Sequence, residues 1–234
     1  MKLPETAIVM AAGFGTRMRP LTDTIPKPLV KVAGKPLIDH ALDWLAASGV
    51  QKAVVNSHYL AEIMEAHLRA RGGNPQIIIS RENEILETGG GVKNALPLLG
   101  DAPFFVINSD VIAIDGDTPT LEKLARNFDA DTMDAMLLLH KLEDAIGYDG
   151  AGDFFMDDGK LRRRVEGETA PLVFTGIQIL HPRLFENSPD GKFSLNIFYK
   201  DLKRIGAIIH DGSWLHIGDK QGLEQAENWF SNRR

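Results

Sequence analysis

Gly13, Gly15, Arg17 and Lys27 have the types and spacing to hold a phosphate chain. They lie in AAGFGTRMRPLTDTIPKPL, residues 11 to 29, directly after a short apolar run. Glycines at such a point let backbone N–H groups approach phosphate oxygens. A Gly-x-Gly after a strand is also an ordinary tight turn, so the glycines alone decide nothing. Arg17 adds a forked donor that suits phosphate geometry. Pro20, Pro26 and Pro28 stiffen the path to Lys27 and fix where its ammonium points. Position 18 is Met, so the third glycine of the dinucleotide fingerprint is missing, and no Gly-Lys-Ser/Thr of a P-loop follows.

Two further places carry chemistry. Asp110 ends the apolar run PFFVINSD, where a carboxylate can bind Mg²⁺ beside phosphates, and Asn108 lies on the same face to orient a substrate. Glu82 closes an earlier run. After it, Glu87-Thr88-Gly89-Gly90-Gly91 reads as a second backbone-exposing loop ahead of a helix. No Ser, Cys or His is arranged as a nucleophile with its base.

The elements that must position these residues alternate. AIVM (7–10), KAVVN (52–56), QIIIS (76–80) and PFFVIN (103–108) are short, apolar and rich in branched residues, as strands buried on both faces are. Between them PLIDHALDWLAAS has Pro36 at the first helical position and Gly49 as its stop. LAEIMEAHLRARGG repeats the pattern. Such alternation predicts an α/β fold with a mostly parallel sheet. Beyond Asp110 the spacing predicts a strand at 135–140, a hairpin turning at Asp158-Gly159, and a strand through PLVFTGIQILHP. Helices are expected at IFYKDLKRIG (197–206) and DKQGLEQAENWF (219–230). No linker or repeat intervenes, so one domain, 1–234, is expected.

Composition narrows the function classes. The 234 residues carry a net charge of −6, against bulk nucleic-acid binding. Yet five basic residues face the single Asp23 between Gly13 and Lys35, a focused cationic site on an acidic body. Cysteine is absent, which removes disulfides, Cys-ligated zinc and thiol nucleophiles. The opening apolar run is too short and glycine-broken for a membrane span, so a cytoplasmic protein is expected.

The 11–29 stretch resembles the signature of sugar-1-phosphate nucleotidyltransferases, G-x-G-T-R-x-x-P-L-T followed by P-K-P, at every core position. The resemblance implies a Rossmann-like α/β/α sandwich. It implies that Gly13, Gly15, Thr16 and Arg17, with Ala11 and Ala12 beside them, hold a nucleoside triphosphate, and that Glu82 and Gly89 read its base. It makes Arg17, Lys27 and Asp110 the catalytic residues, Asp110 the principal ligand of Mg²⁺ (Mn²⁺ being the alternative), and Asn108, Gly152, Thr175 and Gly176 the sugar-phosphate side. The wording E-T-G-G-G, V-N-S-H-Y-L and F-T-G-I-Q-I-L-H-P is similar to the branch that uridylylates N-acetylmuramate 1-phosphate, with UTP as donor. Branches acting on mannose, glucose or heptose phosphates share much of the pattern, and a non-catalytic nucleotide-sugar sensor is the reading from another class.

The family's W-x-D-x-G appears here as Trp214-Leu215-His216-Ile217-Gly218. Imidazole suits Mn²⁺ or Zn²⁺ better than Mg²⁺. His216 is therefore open to three roles: a second metal ligand, a phosphate contact, or none in metal binding. KLRRRV offers Arg162 and Arg164 on one strand face for a sugar carboxylate, or a solvated hairpin edge. Oligomeric state stays open between monomer and dimer.

Overall fold

The computed structural model describes residues 2–233, so both end residues of the expected 1–234 domain lie outside the described part. The strands are β1 (Thr6–Met10), β2 (Lys31–Val32), β3 (Lys35–Pro36), β4 (Lys52–Ser57), β5 (Gln76–Arg81), β6 (Phe104–Asn108) and β7 (Val111–Ile114) in the first half. The second half holds β8 (Ala135–Lys141), β9 (Phe154–Asp157), β10 (Lys160–Arg163), β11 (Leu172–Leu180), β12 (Ile205–Ile209) and β13 (Ser213–His216). The α-helices are α1 (Leu37–Ala47), α2 (Ala61–Ala70), α3 (Glu87–Leu99), α4 (Thr120–Asn127) and α5 (Lys220–Ser231). None is long and apolar enough to cross a membrane, among the described residues.

Alternating side chains of the buried strands feed two cores, one on each face of the sheet. Ala7 and Val9 of β1 join Phe105 and Ile107 of β6 against α1, α2 and α4. Ile8, Phe104 and Val106 face the other way, against α3 and the 185–199 segment. The result is the expected three-layer α/β/α sandwich around a mixed sheet.

Strand order is β10-β9-β11-β6-β1-β4-β5, with β8 between β11 and β12. β6, β1, β4 and β5 run parallel, while β11 is antiparallel to β6. The chain leaves β1 through α1 on one face and enters β6 from α3 on the other. That makes the β1/β6 boundary the topological switch point, where open α/β sheets bind ligands. The loops after Met10 and Asn108 both open there.

A third apolar cluster fastens the first loop. Met18, Val30, Val32 and Leu37 pack with Ile112, Leu215, Ile217 and Ala226, tying it to the β7–β13 ribbon and α5.

Three expectations need correction. Pro36 precedes α1 rather than beginning it. Residues 197–206 are not a helix: a 3-10 turn ends at Lys200, and β12 begins at Ile205, paired in parallel with β8. Residues 87–91 are not a loop but the first turns of α3, with all three glycines buried. An ideal Cβ on Gly89 would lie 2.3 Å from the Phe193 ring, and one on Gly90 2.2 Å from the Gly191 carbonyl. Each glycine costs the helix about 1 kcal/mol relative to alanine, offset by this close approach. The hairpin at Asp158-Gly159 forms as expected, both residues having positive φ.

Candidate functional site

A cleft of about 210 Å³ opens at the switch point, lined by Ala11, Ala12 and Gly13 on one side and by Asn108, Ser109 and Asp110 on the other. Lys27 joins them, and Glu82, Glu87 and Thr88 close the far end. Residues read separately from the sequence are thus brought together by the crossovers.

Two glycines of the first loop have different causes. Gly15 has φ +62°, and a Cβ there would meet Lys27 Cβ at 2.9 Å, so the fold itself demands glycine. Among the described residues, a Cβ on Gly13 would meet no atom within 4 Å, so the space beside it is open to the cleft. Thr22 donates its hydroxyl to the Gly15 carbonyl at 2.8 Å and pins the turn.

Lys27 Nζ donates to Asp110 Oδ2 at 2.7 Å, with the side chains 12% and 27% exposed. Burial opposes ionisation of Asp110, but the Lys27 ammonium and the nearby His216 hold its carboxyl below the usual range. Lys27 also reaches the Gly218 carbonyl at 3.4 Å. Arg17 is exposed and, among the described residues, has no side-chain partner, so its fork is free.

His216 lies beside this pair because β13 runs antiparallel to β7, placing His216 opposite Val111. Ile217 N then donates to Asp110 O at 2.8 Å. His216 Nδ1–H donates to the Gly147 carbonyl at 3.2 Å, and a Cβ on Gly218 would lie 3.1 Å from His216 Nε2 and 3.2 Å from an Arg17 guanidinium nitrogen. Trp214 stacks on the ring at 13°. Asp219 does not replace the missing carboxylate; it caps α5, accepting from Gly222 N at 3.0 Å.

No cluster of three or more metal-ligating side chains exists among the described residues. Mg²⁺ is commonly held by one or two carboxylates plus phosphates and water. The Asp110 carboxylate fits that minimal arrangement. A pair of side-chain ligands for Mg²⁺ does not, since His216 offers a softer nitrogen.

Glu82 is in the cleft, but its carboxylate is engaged. Oε1 accepts from Asn56 Nδ2 at 2.7 Å and Oε2 from Leu86 N at 3.0 Å. Asn56 Oδ1 in turn accepts from Ala11 N at 2.6 Å. This relay, 1% exposed at Asn56, ties the first loop to the start of α3. The sequence reading did not single out Asn56, whose one signal is a polar residue at the end of an apolar strand. Ser109, with its hydroxyl on the Met10 carbonyl at 2.7 Å, and Thr88 were missed as well.

Other expected residues fall elsewhere. The Gly89 amide donates to the Phe193 carbonyl at 2.8 Å, so it is not presented to a base. Thr175 is fully buried. Its hydroxyl donates to Leu138 O at 2.8 Å and its carbonyl accepts from Trp214 Nε1 at 3.0 Å. It therefore positions Trp214. Gly152, φ +72°, packs under Ala170, and its carbonyl accepts from Arg164 Nε at 2.9 Å. Gly176 does belong beside the cleft: a Cβ there would collide with Asn108 Nδ2 at 2.7 Å. Thr16 opens a 3-10 turn with Arg17 just outside the cleft.

The cleft brings the first loop and the end of β6 together at the switch point, and comparison with known proteins gives its family. A family model described as nucleotidyl transferase matches residues 6–152. N-acetylmuramate alpha-1-phosphate uridylyltransferase of Caulobacter vibrioides is 47% identical, over 96% of this chain and 96% of that protein. The enzyme of that name from Neisseria meningitidis serogroup B is 34% identical, over 94% and 96%. Among solved structures, HddC from Yersinia pseudotuberculosis complexed with GMP-PN superposes with a TM-score of 0.79 at 25% identity, covering 96% and 99%.

Proposed function

The chain belongs to the nucleotidyl transferase family, and from that membership we propose that it transfers uridylyl from UTP to N-acetylmuramate 1-phosphate. The products are UDP-N-acetylmuramic acid and pyrophosphate, and the work is done within one domain. The observation that carries this reading is the convergence of Gly13, Lys27 and Asp110 in one cleft at the β1/β6 switch point.

A phosphate oxygen of the sugar phosphate attacks the α-phosphorus of UTP in line, and the bond to the pyrophosphate oxygen breaks. Two anions must meet, so the chain's task is positioning and charge neutralisation. The Ala12–Gly13 backbone lies along the triphosphate, Arg17 offers its exposed fork to the leaving pyrophosphate, and Lys27 faces the transferred phosphate. Asp110 holds Lys27 in place and would hold Mg²⁺, which, when bound, neutralises phosphate charge. Asn108, braced against Gly176, orients the sugar phosphate. Glu82 acts through Asn56 on the loop backbone and not on the base.

The reading carries a cytoplasmic setting, where cell-wall sugar is returned to nucleotide form. A panel of sugar 1-phosphates against UTP, TTP and GTP, with products identified by mass spectrometry, tests it. UDP-N-acetylmuramic acid as the main product supports it; preference for a mannose, glucose or heptose phosphate overturns the sugar assignment.

A further inference from the structure

The sugar proposed above carries a lactyl carboxylate in addition to its phosphate. The cleft it must enter has three carboxylates on its lining, Glu82, Glu87 and Asp110, against the single ammonium of Lys27. Lys27 is already paired with Asp110. A second negative group on the substrate therefore needs a cation at the rim, away from the phosphates.

The three arginines of β10 and its exit do not stand equally. Arg162 is exposed, lies over the Phe155 ring at 3.9 Å and pairs with Glu168 at 2.7 Å. Arg164 is stapled to backbone, donating to the Gly152 and Glu168 carbonyls at 2.9 and 3.2 Å. Both guanidinium groups are engaged in holding the hairpin, which favours the hairpin-edge alternative for them over a shared sugar site.

Arg163 differs in face and in partner. It is paired with Phe154 across the hairpin, and residues so paired share a face of the sheet. Phe154 belongs to the core that includes Phe193, Leu195 and Tyr199, so Arg163 is on the α3 side. Its guanidinium donates to Asn196 Oδ1 at 3.0 Å and to Asn196 O at 3.4 Å. Among the described residues it has no carboxylate partner. The preceding residue, Leu195, donates its N–H to Thr88 Oγ1 at 3.0 Å, and Thr88 lines the cleft. Phe174, edge-on to Tyr199 at 5.9 Å, lies along β11 beyond Gly176 on the same side.

A forked donor thus rests on one neutral amide residue, whose chain neighbour Leu195 is bonded to Thr88 of the cleft lining. Two bonds to neutral oxygens, one of them long, are weaker than a bidentate pair with a carboxylate. We propose that Arg163 is a carboxylate-binding subsite, exchanging the Asn196 oxygens for the carboxylate of the sugar's acidic side arm. The subsite rests on the sugar reading under Proposed function. It makes Arg163 a specificity-determining residue, separate from the residues that face the reacting phosphates.

The test is binding of UDP-N-acetylmuramic acid and UDP-N-acetylglucosamine, which differ in the lactyl group, measured by calorimetry. The quantity read is the ratio of the two dissociation constants on a single protein preparation, so any loss of folded fraction cancels. Wild type is expected to favour the lactyl compound. Arg163→Met should reduce that preference on the order of 10- to 100-fold, the worth of a hydrogen-bonded charge. Arg163→Lys should keep part of it, retaining charge without the fork, and Arg162→Ala should keep all of it. A wild-type ratio near one overturns the sugar reading and the subsite with it. A wild-type preference that survives Arg163→Met overturns the subsite alone.

Discussion

Replacing Asn56 by leucine removes a polar relay while nearly keeping its volume, so the cost is read almost wholly in hydrogen bonds. The side chain is 1% exposed and makes two short contacts, 2.6 Å from Ala11 N and 2.7 Å to Glu82 Oε1. In Asn56→Leu the Ala11 N–H loses its acceptor. The Glu82 carboxylate, itself 4% exposed, keeps the Leu86 N–H at 3.0 Å as its bond. A stranded buried donor costs about 1–3 kcal/mol, and a lost bond to a charged group about 1.5–3 kcal/mol. Allowing for relaxation, the variant should be about 3 kcal/mol less stable by urea denaturation. That corresponds to a midpoint lower by about 6–12 °C for a chain of this size. Because the relay ends on the Ala11 backbone, KM for UTP should rise as well. Asn56→Asp supplies the contrast: the acceptor for Ala11 remains, but a second carboxylate now faces Glu82. That variant should be destabilised near neutral pH by repulsion between the two carboxylates. If Asn56→Leu lies within about 0.5 kcal/mol of wild type, the relay does not hold the loop and the reasoning is refuted.

Three further outcomes follow from the same geometry. Arg17→Ala should lower kcat by about 10²–10³ in a pyrophosphate-release assay while leaving the melting midpoint unchanged, since Arg17 is exposed and has no side-chain partner among the described residues; near-normal turnover would remove it from the mechanism. Gly89→Ala sets a methyl 2.3 Å from the Phe193 ring, and overpacking of about 1–3 kcal/mol against about 1 kcal/mol of helix propensity gained should lower stability by about 1 kcal/mol; the loss should shrink in a Phe193→Leu background. Burial, with His140 adding repulsion, depresses the pKa of His210 below its ordinary 6.5, so its neutral form is the native one. Its contribution is complete above pH 6.5 and lost as pH falls from there through the lower folded value; the loss of stability between about pH 7.5 and about pH 5.5 should be smaller in His210→Gln than in wild type.

The parallel strands and the first two helices were legible because apolar runs and helical spacing are local signals. The opening loop was legible too, since Gly15, Arg17 and Lys27 sit close together in sequence. The failures share a cause in distant partners. Gly89, Gly90 and Gly91 are poor helix formers by themselves; packing of Gly89 and Gly90 against residues 191–193, and of Gly91 against Glu82 and Asn56, overrides that propensity. Residues 197–206 have apolar spacing that fits a helix over ten positions. Pairing with β8, some seventy residues earlier, draws the last two into a strand. Thr175 lies in the family wording and Gly152 was expected on the sugar side with it, but their carbonyls accept from Trp214 and Arg164. Arg163 could not be told from its neighbours until the β9–β10 register assigned its face.

The central claim is direct displacement between two ligands held in one cleft, and pyrophosphate release tests it most directly. With UTP alone the protein should release no pyrophosphate and catalyse no exchange of labelled pyrophosphate into UTP. Adding N-acetylmuramate 1-phosphate should start release, matched mole for mole by UDP-sugar. Release or exchange with UTP alone would mean a uridylylated protein intermediate, and no release with any sugar phosphate would mean a binding protein; either result contradicts the account.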